Sequence, residues 1–81
     1  MSDEVLTNME LTILEIISQH RDIHLLNIME QVKQMTIITS QIFDKKLFNE
    51  SLERLEKNGH IKRHITNPEI FGITEKGSEL L

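Results

Sequence analysis

The sequence predicts a small α+β domain that is mostly helical: three helices, a short antiparallel hairpin and a brief C-terminal helical turn. Three observations predict it. Phe48, Ser51, Leu52 and Leu55 fall at i, i+3, i+4 and i+7, so they gather on one side of a helix. Asn58 and Gly59 follow at once, and these are the residues that most easily take the left-handed conformation closing a helix. Beyond them Ile61, Arg63 and Ile65 alternate with Lys62 and His64, the period of a strand with one largely apolar face.

In chain order, residues 1–6 carry no pattern and are expected to be frayed or lightly helical. Thr7 or Asn8 caps a first helix that runs to His20, with Met9, Ile13, Ile16 and Ile17 toward the core and Leu11 and Leu14 on its flanks. So much apolar width implies burial on more than one side. Arg21 to His24 is a polar break able to supply one short strand, and a second helix over Leu25 to Met35 gathers Leu25, Ile28, Met29 and Val32 on one face. Residues 36–43 are open to three readings: a strand, an extended loop, or an early start of the third helix at Thr39 or Ser40. Asp44 is the preferred cap of that helix, and Lys57 suits its last turn, where the dipole favours a cation. Thr66 to Glu69 makes a turn around the only proline, Pro68, and Ile70 to Ile73 is the returning strand. Thr74 then caps a short helix expected to hold Leu80 and Leu81.

The segment L-x-x-L-E-x-x-G-x-I at Leu52, Leu55, Glu56, Gly59 and Ile61, followed by Phe71 and by I-T-E-K-G-x-x-L-L from Ile73, resembles winged-helix transcriptional regulators of the PadR and MarR type. The resemblance covers the last third of the chain; the first forty residues are compatible with the same fold. It implies a winged helix-turn-helix whose third helix enters the DNA major groove and whose hairpin is the wing. In many such regulators the first helix also packs on a partner subunit, which implies a homodimer. Regulators of this type usually carry a long C-terminal dimerisation helix, whereas barely two turns follow Thr74 here, so the first helix is the expected contact.

Eighty-one residues make one domain, 1–81, and a chain of this size buries only about 60–65% of its unfolded surface, enough for a single core. With 38% hydrophobic and 27% charged residues the composition is globular. No apolar run approaches the roughly 20 residues of a spanning helix, and the Met-Ser-Asp-Glu start is acidic where a signal peptide is basic, so a cytoplasmic location is expected. The absence of cysteine removes disulfides and thiolate chemistry.

The net charge of −4 has the wrong sign for binding phosphates, but its distribution is uneven. Residues 1–40 carry −4 and residues 67–81 carry −2, while 41–66 carry +2 through Lys45, Lys46, Arg54, Lys57, Lys62 and Arg63 against Asp44, Glu50, Glu53 and Glu56. At about 100° per residue, the side of the third helix away from Phe48 holds Lys46, Asn49, Glu50, Glu53 and Lys57, with Lys45 at its N-terminal edge. Lys45 and Lys46 suit phosphate or guanine, Asn49 suits a bidentate pair with adenine, and Ser40 and Gln41 suit backbone contacts. The hairpin adds Lys62, Arg63, His64 and, at its tip, Asn67. Ile61 and Ile65 are expected toward the core, with Arg63 on the same side bending its guanidinium outward.

Those nine residues form the candidate DNA-binding set; Glu50 and Glu53 leave open an ordinary solvated face. His20 with His24, and His60 with His64, share i, i+4 spacing, but they fall across a break and in a turn and strand, so surface or turn histidines are expected and no metal. Met9, Met29 and Met35 read as core filler. No G-x-S-x-G, phosphate loop or nucleotide fingerprint occurs, so neither an enzyme nor a cofactor is expected. The expected function is sequence-specific binding of double-stranded DNA as a dimeric regulator. The alternative is a protein-binding module such as an adaptor or an inhibitor of another regulator, favoured by the acidic balance.

Overall fold

A computed structural model describes residues 6–39 and 42–81. Its described elements are α1 (Asn8–Ser18), β1 (Ile23–His24), α2 (Leu25–Ile38), α3 (Lys45–Lys57), β2 (Ile61–Arg63), β3 (Ile70–Ile73) and α4 (Glu75–Ser78). The domain is therefore α+β and mostly helical, with one antiparallel three-stranded sheet of order β1-β3-β2. No helix among the described residues is long and apolar enough to cross a membrane.

Helix α1 starts at a reciprocal cap. Thr7 Oγ1 accepts the Glu10 backbone N–H and the Glu10 carboxylate accepts the Thr7 N–H, both at 3.2 Å. Glu10 is buried and also receives Arg54 of α3 at 3.1 Å, so one carboxylate closes a helix end and ties α1 to α3. Leu14, expected on a flank, is fully buried because α2, α3 and β3 all contact α1. Leu6, in the stretch expected to be frayed or lightly helical, is half-buried and packs against the core.

His24 ends β1 and caps α2, its Nδ1 accepting the Leu26 N–H at 3.1 Å. Helix α2 continues past Met35 to Ile38, which settles Thr36, Ile37 and Ile38 as helical. Their β-branched side chains weaken a helix without stopping it, and the end comes where the Thr39 hydroxyl donates to the carbonyls of Met35 and Thr36. Residues 42–44 are irregular, anchored by Phe43, whose ring lies 5.8 Å from that of Phe48.

Helix α3 begins where the Asp44 carboxylate accepts the Leu47 N–H at 3.0 Å. It buries Phe48, Ser51, Leu52 and Leu55, as its spacing predicts. At its end Gly59 takes φ +80°, the Gly59 N–H donates to Glu56 and the His60 N–H to Leu55, the double bond of a Schellman closure. The chain thereby turns into β2 with Ile61 buried.

Strand β3 lies between the other two, with Arg63 opposite Phe71 and Ile61 opposite Ile73 on one side, and Ile23 opposite Phe71 on the other. Strand β2 stops at Arg63, and Ile65, expected toward the core, is fully exposed. The His64 N–H donates to Ile70, and the loop then curls on its own bonds: Asn67 Oδ1 accepts the Glu69 N–H and the Asn67 carbonyl accepts the Ile70 N–H. Alternation has no opposing strand to sustain it beyond that point.

The turn α4 ends at Ser78, so Leu80 and Leu81 follow it; Leu80 packs against the core and Leu81 is exposed. Thr74 holds α4 in place, its hydroxyl donating to the Gly59 carbonyl at 2.6 Å while accepting the Gly77 N–H at 3.0 Å. Gly77 lies on the His60 backbone, where a Cβ would collide with the His60 carbonyl.

Gly77→Ala should therefore destabilise by about 2–3 kcal/mol in urea denaturation, although Gly to Ala in a helix ordinarily stabilises. An unchanged or raised midpoint would contradict this packing. Ser51 offers the opposite sign: its buried hydroxyl has no hydrogen-bond partner among the described residues, so Ser51→Ala should stabilise by about 1 kcal/mol in the same assay.

Candidate nucleic-acid interface

Lys46 is exposed on α3 opposite the side that carries Phe48, Leu52 and Leu55, and Asn49 and Lys45 are exposed at the edge of that outer face. Among the described residues their side chains form no ion pair or hydrogen bond, so their charges and amide are available to an outside partner. Glu50, Glu53 and Lys57 share this surface and are exposed as well. It is a mixed face, with one carboxylate about one turn beyond Lys46 and another about one turn before Lys57.

The hairpin is set beside this face by an ion pair. Arg63 Nε donates to Glu56 at 2.7 Å, its Nη1 donates to the Pro68 carbonyl at 2.9 Å, and its guanidinium lies 4.8 Å from the Phe71 ring centre. The strand pairing places Arg63 on the Phe71 side of the sheet with its head turned outward, the snorkelling its alternation predicts. Glu56 stands two turns beyond Asn49 on the same side of α3, roughly 10 Å along the axis. The Asn49 side of α3 and the hairpin are thus adjacent parts of one surface.

Of the nine candidate residues, the structure brings Lys45, Lys46 and Asn49 together on α3 and sets Lys62, Arg63, His64 and Asn67 in the hairpin. Ser40 and Gln41 lie outside the described residues. Lys62 is exposed, pairs with Gly72 across the sheet and forms no side-chain bond among the described residues. The other hairpin members have structural duties. Arg63 covers Phe71, His64 Nδ1 lies 2.9 Å from the Thr66 hydroxyl, and Asn67 organises the loop.

The histidines are dispersed. His20 lies 3.4 Å from Gln31, His24 Nε2 lies 2.9 Å from Glu69, and His60 is buried at the α3–β2 turn. Among the described residues no group of three or more histidine and carboxylate side chains is arranged to hold a metal ion. Met9 and Met29 pack against the core, but Met35 is partly exposed and lines an open groove between α1, α2 and the start of α3.

The Glu10–Arg54 pair is the tie that sequence reasoning missed. Half of it was visible: Thr7-x-x-Glu10 has the capping-box pattern, while Arg54 lies 44 residues away. The pair removes Arg54 from the cations free to meet a ligand.

Comparison with protein-family models, with curated proteins and with solved structures finds no match to the chain.

The two neighbouring basic residues of β2 should separate cleanly. Arg63→Ala should cost about 1–2 kcal/mol of stability through lost packing on Phe71 and the lost Glu56 bond, while Lys62→Ala should stay within about 0.5 kcal/mol. Equal losses in thermal melts would show that Arg63 is no more engaged than Lys62.

Proposed function

We propose that the chain is a winged-helix DNA-binding protein, similar in plan to PadR and MarR type regulators, that reads double-stranded DNA with α3 and steadies it with the β2–β3 hairpin. The observation that carries this reading is the unpaired set Lys46 and Asn49 on the exposed side of α3 with Lys45 at its N-terminal edge, flanked by a hairpin that presents Lys62. In this scheme α3 enters the major groove with Asn49 toward a base edge and Lys46 toward guanine or phosphate. Lys45 and Lys62 add sequence-independent attraction, which makes binding salt-dependent. Arg63 acts by holding the hairpin against Glu56 rather than by reaching for phosphate. As a homodimer the protein would address a pseudo-palindromic site.

One observation favours a second reading, a module that binds another protein. Glu50 and Glu53 stand exposed among the lysines of α3, and the chain is acidic overall. On that reading the face recognises a partner surface of mixed charge.

Selection from a pool of double-stranded DNA at two salt concentrations tests the first reading. Retention that falls steeply with salt and enriches a two-fold symmetric sequence supports it. Lys46→Ala with Asn49→Ala should then weaken specific binding by about 2–4 kcal/mol without lowering the melting temperature. Unchanged affinity in this double variant would remove the recognition role from α3, and no retention at low salt would favour the protein partner.

A further inference from the structure

The turn that ends α3 has a covalent chemistry of its own. Asn58-Gly59 is the only Asn-Gly pair in the sequence, and both residues are exposed. In such a pair the backbone nitrogen of the glycine can attack the side-chain amide carbon of the asparagine, because no Cβ on the following residue obstructs the approach. A C–N bond forms, the side-chain amide leaves as ammonia, and the product is a cyclic succinimide. Water then opens the ring at either carbonyl. One opening gives aspartate; the other gives isoaspartate, with the main chain rerouted through Cβ. Water is the sole co-reactant.

The other asparagines are poorer substrates for this reaction. Asn67 precedes Pro68, whose nitrogen carries no proton to lose. Asn8, Asn27 and Asn49 are followed by Met9, Ile28 and Glu50, whose side chains crowd the attack, and all three lie within helices.

We propose that Asn58 is a deamidation site that the folded domain keeps shut and that opens when α4 lifts from the turn. Asn58 has ψ 0°, so the Gly59 nitrogen eclipses the backbone nitrogen of Asn58. Ring closure needs it to eclipse Cβ instead, a rotation of about 120° at a tetrahedral Cα. The peptide that must turn is held at both ends. Its N–H, on Gly59, donates to the Glu56 carbonyl at 3.0 Å and must be released before that nitrogen can lose its proton and attack. Its carbonyl, on Asn58, accepts from Lys76 Nζ at 2.9 Å, and the Thr74 hydroxyl holds the next carbonyl, that of Gly59, at 2.6 Å. The Asn58 side chain forms no hydrogen bond among the described residues, so the amide carbon itself is accessible and the backbone sets the rate.

Refolding does not undo the change. Isoaspartate adds a methylene to the main chain, which displaces the Gly59 and His60 N–H groups from the carbonyls of Glu56 and Leu55. Aspartate keeps the chain length but places a negative charge at the C-terminal end of α3, where the helix dipole opposes it. The modified fraction therefore accumulates with the time that the α4 contact has spent open, and each modified chain has a loosened hairpin base. This chemistry is independent of what α3 binds.

Incubation at mildly alkaline pH, in buffer and in guanidinium chloride, followed by peptide mapping with mass spectrometry, provides the test. The expected result in denaturant is deamidation at Asn58 ahead of every other asparagine, with isoaspartate among the products. In the folded chain the same reaction should be at least about tenfold slower. Lys76→Ala, at an exposed position, should raise the folded-state rate about two- to fivefold and leave the rate in denaturant unchanged. Thr74→Ala should raise it further, and Asn58→Gln should abolish the reaction at this position. Equal rates in the folded and unfolded chains would overturn the inference, as would modification first at another asparagine. A folded-state rate that ignores both Lys76→Ala and Thr74→Ala would overturn the part assigned to α4.

Discussion

Much of this domain depends on one close crossing, where α4 lies on the turn that ends α3. Gly59 in its left-handed conformation sends the chain into β2, and the carbonyls it exposes are taken up from above: Thr74 bonds both Gly59 and His60, and Lys76 reaches the Asn58 carbonyl at 2.9 Å. Gly77 permits the approach because it adds no side chain between the two backbones. These bonds connect the exit of α3 to the exit of β3. The hairpin between those points is therefore held at both of its bases, and its direction relative to α3 follows.

A second constraint acts from the other side of α3. The buried Glu10 carboxylate accepts from the α1 cap and from Arg54, so the start of α1 is registered against the last turn of α3. Together the two ties leave the outer face of α3 with side chains that have no part in the fold. Freedom from structural duty is what makes Lys45, Lys46 and Asn49 candidates for recognition, and its lack is what turns Arg63 into a brace. Exposure alone would not separate these residues, since all four are exposed.

The legible parts of the chain were those written in local chemistry. The apolar spacing of α3, its Asp44 cap, the Asn58-Gly59 stop and the strand at Ile70 to Ile73 each depend on neighbours within a few residues, and all were readable. The parts that were not readable depend on distance. Leu14 is buried because three other elements converge on α1, and Ile65 is exposed because the loop's own hydrogen bonds end the strand before it. The run at Thr36 to Ile38 stayed ambiguous because β-branched residues accept either helix or strand and no glycine or proline decides between them. For the candidate site, the helix surface was predictable from angular position. The partners of Arg63 and Arg54 were not, because an ion pair across the fold leaves no periodic mark.

The central position of β3 also has a kinetic side. Strand β1 pairs only with β3, joining residues about 45 positions apart, as His24 and Glu69 illustrate. Helices α1 and α2 can form early, but their sheet contact and the brace over α3 wait for residues 70–77. On the ribosome the side of α1 that contacts β3 thus remains uncovered until the returning strand emerges. A domain closed by its returning strand is most exposed to aggregation in the interval before that strand arrives.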